Sequence, residues 1–552
     1  MMRKVIFACF TILGVWLLLL GLRAVASRIV LDLMSQGAVV APKGVSPDLS
    51  NWSNSYWSGV PVSDLIGQRI GATLQLVVYT SLLALGIAGL LLFLGVLLSR
   101  ITERPLWLAK LRTVLRLVGV SKAVSSPIFL GIFPLAILVF PLGIFSWSPP
   151  IAGQVIPGWL VLYVSLLPAW LIVQAGHGEL SRPFDSNVEL TKHLAVTSVT
   201  RLLKLMGAIF VVAILAEQSS ATPGLGRLLL QAVDTRDMPL AFGIAFILAV
   251  IVVLAKLVAD LTGIAYNRPG KNRTTGSAIA LLPSRYLIPK GWVIFSLVLV
   301  FVVILTALVI PAIAPYHFNE IILADRLSPP SAAHILGTDN LGRDVLSRLL
   351  FGIRLEVFSS LSVVAAISVV AFMWALLAAA VRNRHDWLGD ILEDVVMLPR
   401  DIVVAFPWLV LLLILMSLIG GGIVSVGLMT GIVLLPHIVG MMRELSVSAP
   451  PEKSWTRSVL LSVPVVFILG VAGALLYISS IGYLGLGVPP PQPELGSMLA
   501  GSGRQYMITA PWTAQWPIIV LILLPLFWVM AGDALLEKLG FRSKVVWAKV
   551  ME

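Results

Sequence analysis

The sequence predicts an all-α polytopic membrane protein with about 12 transmembrane helices in two pseudo-repeated halves of six. Three observations carry this reading. Of 552 residues, 58% are hydrophobic and 12% charged, and the mean hydropathy is +0.98, more apolar surface than a soluble chain can hide. Four stretches, 123–178, 402–442, 458–493 and 505–532, contain no Asp, Glu, Lys or Arg, and each exceeds the roughly 20 apolar residues that cross a bilayer as a helix. Short strings also recur at matching places in the two halves.

Apolar spans are read at about 5–22, 72–99, 124–146, 158–176, 202–217 and 240–266, then at about 291–314, 357–381, 395–419, 422–442, 458–481 and 515–536. Between the two sets lies Asn267 to Lys290, with Arg268, Lys271, Arg273 and Arg285 among Pro269, Gly270 and Gly276. That is linker composition. It gives a first half at 1–270, a cytoplasmic linker at 271–290 and a second half at 291–552.

Charge sets the orientation. The net charge of +12 raises nucleic acid as a partner, but the basic residues are distributed by topology. The densest cluster, Arg100, Arg104, Lys110, Arg112, Arg116 and Lys122, follows the second span, whereas the turn from Ser146 to Pro157 carries no charge. Cationic loops mark the cytoplasmic side, so both termini are expected there, with the lipid bilayer as a partner and no nucleic acid. Met1 to Lys4, the apolar run Val5 to Leu22 and Ala24-Val25-Ala26 resemble a secretory signal. The run is longer than a usual signal core and is read as a retained span.

Cys9 is the lone cysteine, which excludes a disulfide framework and thiolate metal sites. The six histidines, His177, His193, His317, His334, His385 and His437, have no paired spacing, so neither metal nor cofactor is expected. Gly270-Lys271 is followed by Asn272, and Ala265 stands where the first glycine of a phosphate-binding loop belongs. There is no nucleophile elbow and no catalytic carboxylate pair, so the chain is not expected to be an enzyme. Within the spans, Glu217 lies at an outer end, and Lys204, Lys256, Asp260, Arg457 and Asp533 lie near inner ends, where snorkelling is cheap. No span holds the acidic pair or carboxylate–histidine chain of a proton-coupled pump.

The repeats are Asp64, opening DLIGQRIGATLQL, against Asp344, opening DVLSRLLFGIRLEV, and the turns Gly224-Leu225-Gly226 and Gly485-Leu486-Gly487. Duplicated membrane domains place a path between the repeats; chance recurrence of common residues is the bland alternative. Thr338, Asp339 and Asn340 offer N-cap oxygens ahead of an amphipathic helix, with Asp344 complementing its dipole. That helix is expected to lie along the outer surface. Pro489, Pro490, Pro491 and Pro493 stop a helix, so Tyr483 to Pro511 reads as a structured outer loop with a short helix near Leu495 to Tyr506. Its first-half counterpart is Thr222 to Pro239, with polar Arg227, Asp234, Arg236 and Asp237. Either loop could equally be an inert connector.

The strings LGTDNLGRDVLSRLLFGIR (Leu336 to Arg354), LPRDIVVAFPWLVLLLIL (Leu398 to Leu415) and YLGLGVPPPQPELGSMLA (Tyr483 to Ala500), with APW at Ala510 to Trp512, resemble the membrane subunits of binding-protein-dependent ABC importers of the dipeptide, oligopeptide and nickel class. PVSDLIGQRIGATLQL (Pro61 to Leu76) and PGLGRLLLQAVDTRDMPL (Pro223 to Leu240) resemble the companion subunit, as though the two were fused. The resemblance covers most of the chain. It implies a type I importer permease fold in a bacterial inner membrane, an extracellular or periplasmic solute-binding protein outside, and two ABC ATPase subunits inside. It further implies an outer gate or binding-protein contact at Asp64, Arg227, Arg236, Asp237, Asp339, Arg343, Asp344, Tyr483 and Glu494. ATPase coupling falls to Glu179, Arg182, Lys192, Arg443, Glu444, Glu452, Trp455 and Arg457.

Two departures accompany the resemblance. The cytoplasmic segments Arg443 to Pro464 and His177 to Leu205 are short and lack the Glu-Ala-Ala motif by which such permeases grip their ATPases. Aligning the outer Gly-Leu-Gly turns sets Ile478 in the second half opposite Glu217 in the first. A second function class is therefore carried: a receptor or scaffold on the same fold without a motor. Peptide, nickel chelate, opine and sugar-like cargo remain open.

Overall fold

The computed structural model describes residues 2–35, 53–101, 150–151, 154–155, 187–220, 222–266, 290–382, 387–447, 455–503, 505–506 and 509–539. In the first half the helices are α1 (Met2–Ser35), α2 (Val62–Ile101), α3 (Asn187–Lys204), α4 (Met206–Ser220), α5 (Leu225–Asp234) and α6 (Met238–Tyr266). The second half holds α7 (Lys290–Ile313), α8 (Val345–Arg382), α9 (Trp387–Ala405), α10 (Trp408–Ile419), α11 (Ile423–Val447), α12 (Trp455–Tyr483), α13 (Leu495–Met498) and α14 (Trp512–Lys538). A two-residue antiparallel ladder pairs Pro150 with Val155 and Ile151 with Gln154.

Eight of these helices are long and apolar enough to cross a membrane, and two bent pairs raise the number to 10. One pair is α3 with α4, bent by 61°, and the other is α9 with α10, bent by 83°. Pro407 has no N–H for a helical ladder, so α9 stops and α10 restarts from it. The expected spans at 124–146 and 158–176, the basic cluster after the second span and the linker lie outside the described residues.

One expectation is corrected. The helix after Asp344, expected to lie along the outer surface, is instead the first turns of α8, 38 residues long, whereas the stretch after Asp64 runs into its span as expected, as the first turns of α2, 40 residues long. Their apolar positions continue without a helix breaker into the span, so the hydrogen-bond ladder runs on through.

The second half packs around α8, α11 and α12. Close approach comes from small residues, as it must where lipid is as apolar as a side chain. A Cβ at Gly427 of α11 would fall 3.3 Å from Val363 of α8, and one at Gly431 would fall 3.2 Å from Ile367. Val369, Val370, Met373 and Leu377 of α8, and Ile294, Val298, Phe301 and Leu308 of α7, stay exposed, the surface expected against lipid tails. The halves meet on α10, whose residues Leu409 to Leu418 are all buried between α4, α5 and α6 on one side and α11 and α12 on the other. At its end, the Ser417 hydroxyl lies 3.7 Å from the sulfur of Met238 on α6.

Candidate functional site

Each half anchors the start of the short helix before its last span on a buried carboxylate. In the first, Glu217 of α4 accepts the Thr73 hydroxyl of α2 at 2.6 Å and the Gly226 N–H at 2.7 Å, while Thr73 Oγ1 accepts the Leu225 N–H at 2.7 Å. These are orphan donors of the first turn of α5, and a carboxylate there also complements the helix dipole. In the second half, Glu356 of α8 accepts the Leu495 N–H at the start of α13 at 3.2 Å, with the Ser479 hydroxyl of α12 at 3.0 Å. The roles are exchanged. The carboxylate sits before the loop in one half and on the long motif helix in the other, with the hydroxyl on the opposite helix each time. Ile478, aligned with Glu217 by sequence, is fully buried and apolar; Glu356 supplies the missing carboxylate. The one signal the sequence offers is a Glu at the start of an apolar run, with nothing in it that pairs that Glu with the loop.

Glu494, expected to face outward, is fully buried. One oxygen accepts the Val488 N–H at 3.2 Å and the other has no hydrogen-bond partner among the described residues. The carboxyl packs where side chains at Gly482 and Gly487 would stand. Burial pushes its pKa up to about 8. Tyr483 is buried beside it at the end of α12.

The LGTDN string folds on itself. Asp339 accepts N–H groups from Leu341 and Arg343, at 2.8 and 3.0 Å, and ion-pairs with the Arg343 side chain at 2.8 Å. Asp344 caps α8 through the Ser347 N–H at 2.7 Å and meets the His334 ring at 3.0 Å. Gly342 has φ +73, and a Cβ there would collide with the Ile322 carbonyl, so only glycine fits this turn. Trp512 of the APW string donates its ring N–H to the Thr338 carbonyl at 3.1 Å, which ties this turn to α14. In the first half, Asp237 is buried, accepts from the Ser55 hydroxyl and, at 3.2 Å, from the Tyr56 N–H, and burial raises its pKa. Asp64 and Arg227 are exposed, and Arg236 is partly exposed. The loops of the two halves converge over the end of α10: the Arg236 guanidinium approaches Gly420, and the Gly487 carbonyl approaches Gly421.

At the opposite end of the helices, Arg443 of α11 bridges Glu393 of α9 at 2.7 Å and Glu444 at 3.1 Å. Lys192 on α3 and Arg457 on α12 are exposed. Trp455 opens α12; Glu179, Arg182 and Glu452 lie outside the described residues. Sequence reasoning missed a cluster deeper in the chain. Lys256 of α6 interacts electrostatically with Arg400 and Asp401 of α9, and Lys256 and Arg400 both act on His437 of α11. The His437 ring stands edge-on to Tyr477 of α12, 6.4 Å away, and Tyr477 stacks on Trp408 of α10 at 4.1 Å.

No protein-family model matches the chain. Individual relatives do. The dipeptide transport system permease protein DppC of Haemophilus influenzae is 27% identical over 275 residues, covering 46% of this chain and 90% of the relative. The di/tripeptide transport system permease protein DppC of Pseudomonas aeruginosa is 33% identical over 278 residues, 46% of this chain and 88% of the relative. The glutathione transport system permease protein GsiD of Pectobacterium atrosepticum is 29% identical over 265 residues, 44% of this chain and 85% of the relative. With nearly the whole length of such relatives matched by less than half of a chain that is helical and multiply membrane-spanning, this protein belongs to the family of the dipeptide transport system permease DppC.

Proposed function

We propose that the chain carries two fused permease halves, 1–270 and 291–552, joined by a cytoplasmic linker at 271–290, and that together they form the path of an ATP-driven peptide importer in a bacterial inner membrane. The observation that carries this reading is the exchanged carboxylate–hydroxyl anchor. Thr73 with Glu217 and Glu356 with Ser479 do the same work at the same place in each half, as expected of a duplicated unit with a path between the copies. The relatives' printed names support small peptides as cargo. Both termini are cytoplasmic, two separate ABC ATPase subunits bind the inner face, and a solute-binding protein docks outside.

In this reading Asp64, Arg227 and Arg236 are the exposed outer contacts. Asp237, Asp339, Arg343, Asp344, Tyr483 and Glu494 hold the gate's shape from within. Lys192, Arg443, Glu444, Trp455 and Arg457, with Glu179, Arg182 and Glu452, make up the coupling surface. The test is affinity purification of the tagged full chain from its native membrane. Two copies of ATPase subunit per chain, with hydrolysis stimulated by a binding protein, support the proposal. A chain that retains no ATPase favours the motorless scaffold.

A further inference from the structure

Five helices from both halves deliver Lys256, Arg400, His437, Tyr477 and Trp408 to one place. Ionisable groups within spans face a bundle interior or a water-filled path rather than lipid. Lys256 stands 18 residues into α6, counting from Met238, or about 27 Å along a helix rising 1.5 Å per residue. Trp408 lies at the inner end of α10, whose 12 residues extend about 18 Å. The aromatic stack is therefore near mid-depth, with the cations one step further in.

Lys4 and Lys204 share Asp260, at 3.0 and 3.9 Å, and Arg400 takes Asp401 at 2.9 Å. Among the described residues, Lys256 meets Arg400 and Lys204 as like charges and Asp401 and Asp260 as opposite ones. Lys256 makes no hydrogen bond or ion pair among the described residues. Arg400 is fixed: its Nε donates to the Pro436 carbonyl of α11 at 3.3 Å, and its guanidinium occupies the space that a side chain at Gly440 would take. His437 Nδ1 is tied to the Val433 carbonyl at 3.0 Å. A rigid cation, an ammonium with no direct contact among the described residues and an aromatic plane therefore converge between the halves.

We propose that Lys256 and Arg400, with the Trp408–Tyr477 stack, form an intramembrane subsite that receives the free α-carboxylate of a passing peptide. The inference rests on the permease reading and deepens it. The ammonium pairs with the carboxylate, as charge-assisted contacts in a low-dielectric space are strong, and the stack covers an adjacent apolar side chain.

The test is saturable binding of radiolabelled dialanine to the full chain in phosphatidylcholine nanodiscs, by scintillation proximity. Dialanine amide competes at least tenfold less well than dialanine, Lys256→Gln weakens binding at least tenfold, and Lys256→Arg restores most of it. Equal competition by the amide, unchanged binding by Lys256→Gln or no saturable binding overturns the subsite. So does loss of dialanine binding when phosphatidylglycerol is added, which assigns the cations to a lipid phosphate. If Lys256→Gln fails to fold, the contrast between acid and amide on the unaltered chain still decides. Peptide uptake by the assembled transporter without carboxylate-dependent binding sinks the subsite and leaves the permease reading standing, whereas an assembled transporter that moves no peptide sinks the permease reading.

Discussion

The Ser479 hydroxyl lies 3.0 Å from the Glu356 carboxylate, joining residues 123 positions apart. The same carboxylate holds the first N–H of the short helix α13. Glu356→Ala leaves that N–H buried without its acceptor, while the Ser479 hydroxyl keeps the Leu475 carbonyl at 2.7 Å, a loss of about 1–3 kcal/mol. Glu356→Gln keeps an acceptor oxygen and loses much less. Thermal unfolding of both variants in detergent checks the order: alanine well below wild type, glutamine close to it.

Gly496 stands against the Ser479 carbonyl, so a Cβ there meets backbone rather than a yielding side chain. Gly496→Ala forces the outer loop off α12 at a cost of about 1–3 kcal/mol. Limited proteolysis between residues 484 and 511 reads the displacement directly. Gly501→Ala is the control, since nothing lies within 4 Å of its added carbon.

Glu494 ordinarily titrates near 4.5 and is pushed to about 8 by burial. The folded loop holds a proton that the unfolded chain releases between those values. Its stability is therefore full below 4.5, falls as pH rises and is lost above about 8, at about 1.4 kcal/mol per pH unit. Melting temperature measured from pH 5 to 9 falls on the alkaline side in wild type, and Glu494→Gln flattens the dependence.

Orientation is read with cysteines. In a Cys9→Ser background, Ser58→Cys, on the exposed turn before α2, reacts with an impermeant maleimide from outside only. Lys538→Cys, at the end of α14, reacts only after permeabilisation. The reverse pattern inverts the topology.

Much of the fold was legible because helix spans announce themselves locally. The runs at 240–266 and 515–536 emerged within α6 and α14, and Gly485 turns with φ +84 as expected, whereas Leu225 and Gly226 already belong to α5. Bends were partly legible: Pro407 marks one, but nothing in Leu205 signals the other. Long-range pairings were not. Glu356 was invisible as the counterpart of Glu217 because its role depends on which helix faces the loop, not on alignment. Lys256 reads as a snorkelling residue until Arg400, 144 positions later, is placed beside it. Asp339 and Glu494 look like surface contacts in sequence, yet both are internal ties.

The most direct test of the central claim, that this one chain is the whole membrane path of an importer, is ATP-driven uptake. The purified chain is reconstituted in proteoliposomes with its ATPases inside and binding protein outside, and no second permease subunit is added. Accumulation of radiolabelled dipeptide that requires ATP and binding protein is predicted. Uptake that appears only when a separate permease subunit is supplied, or not at all, contradicts it.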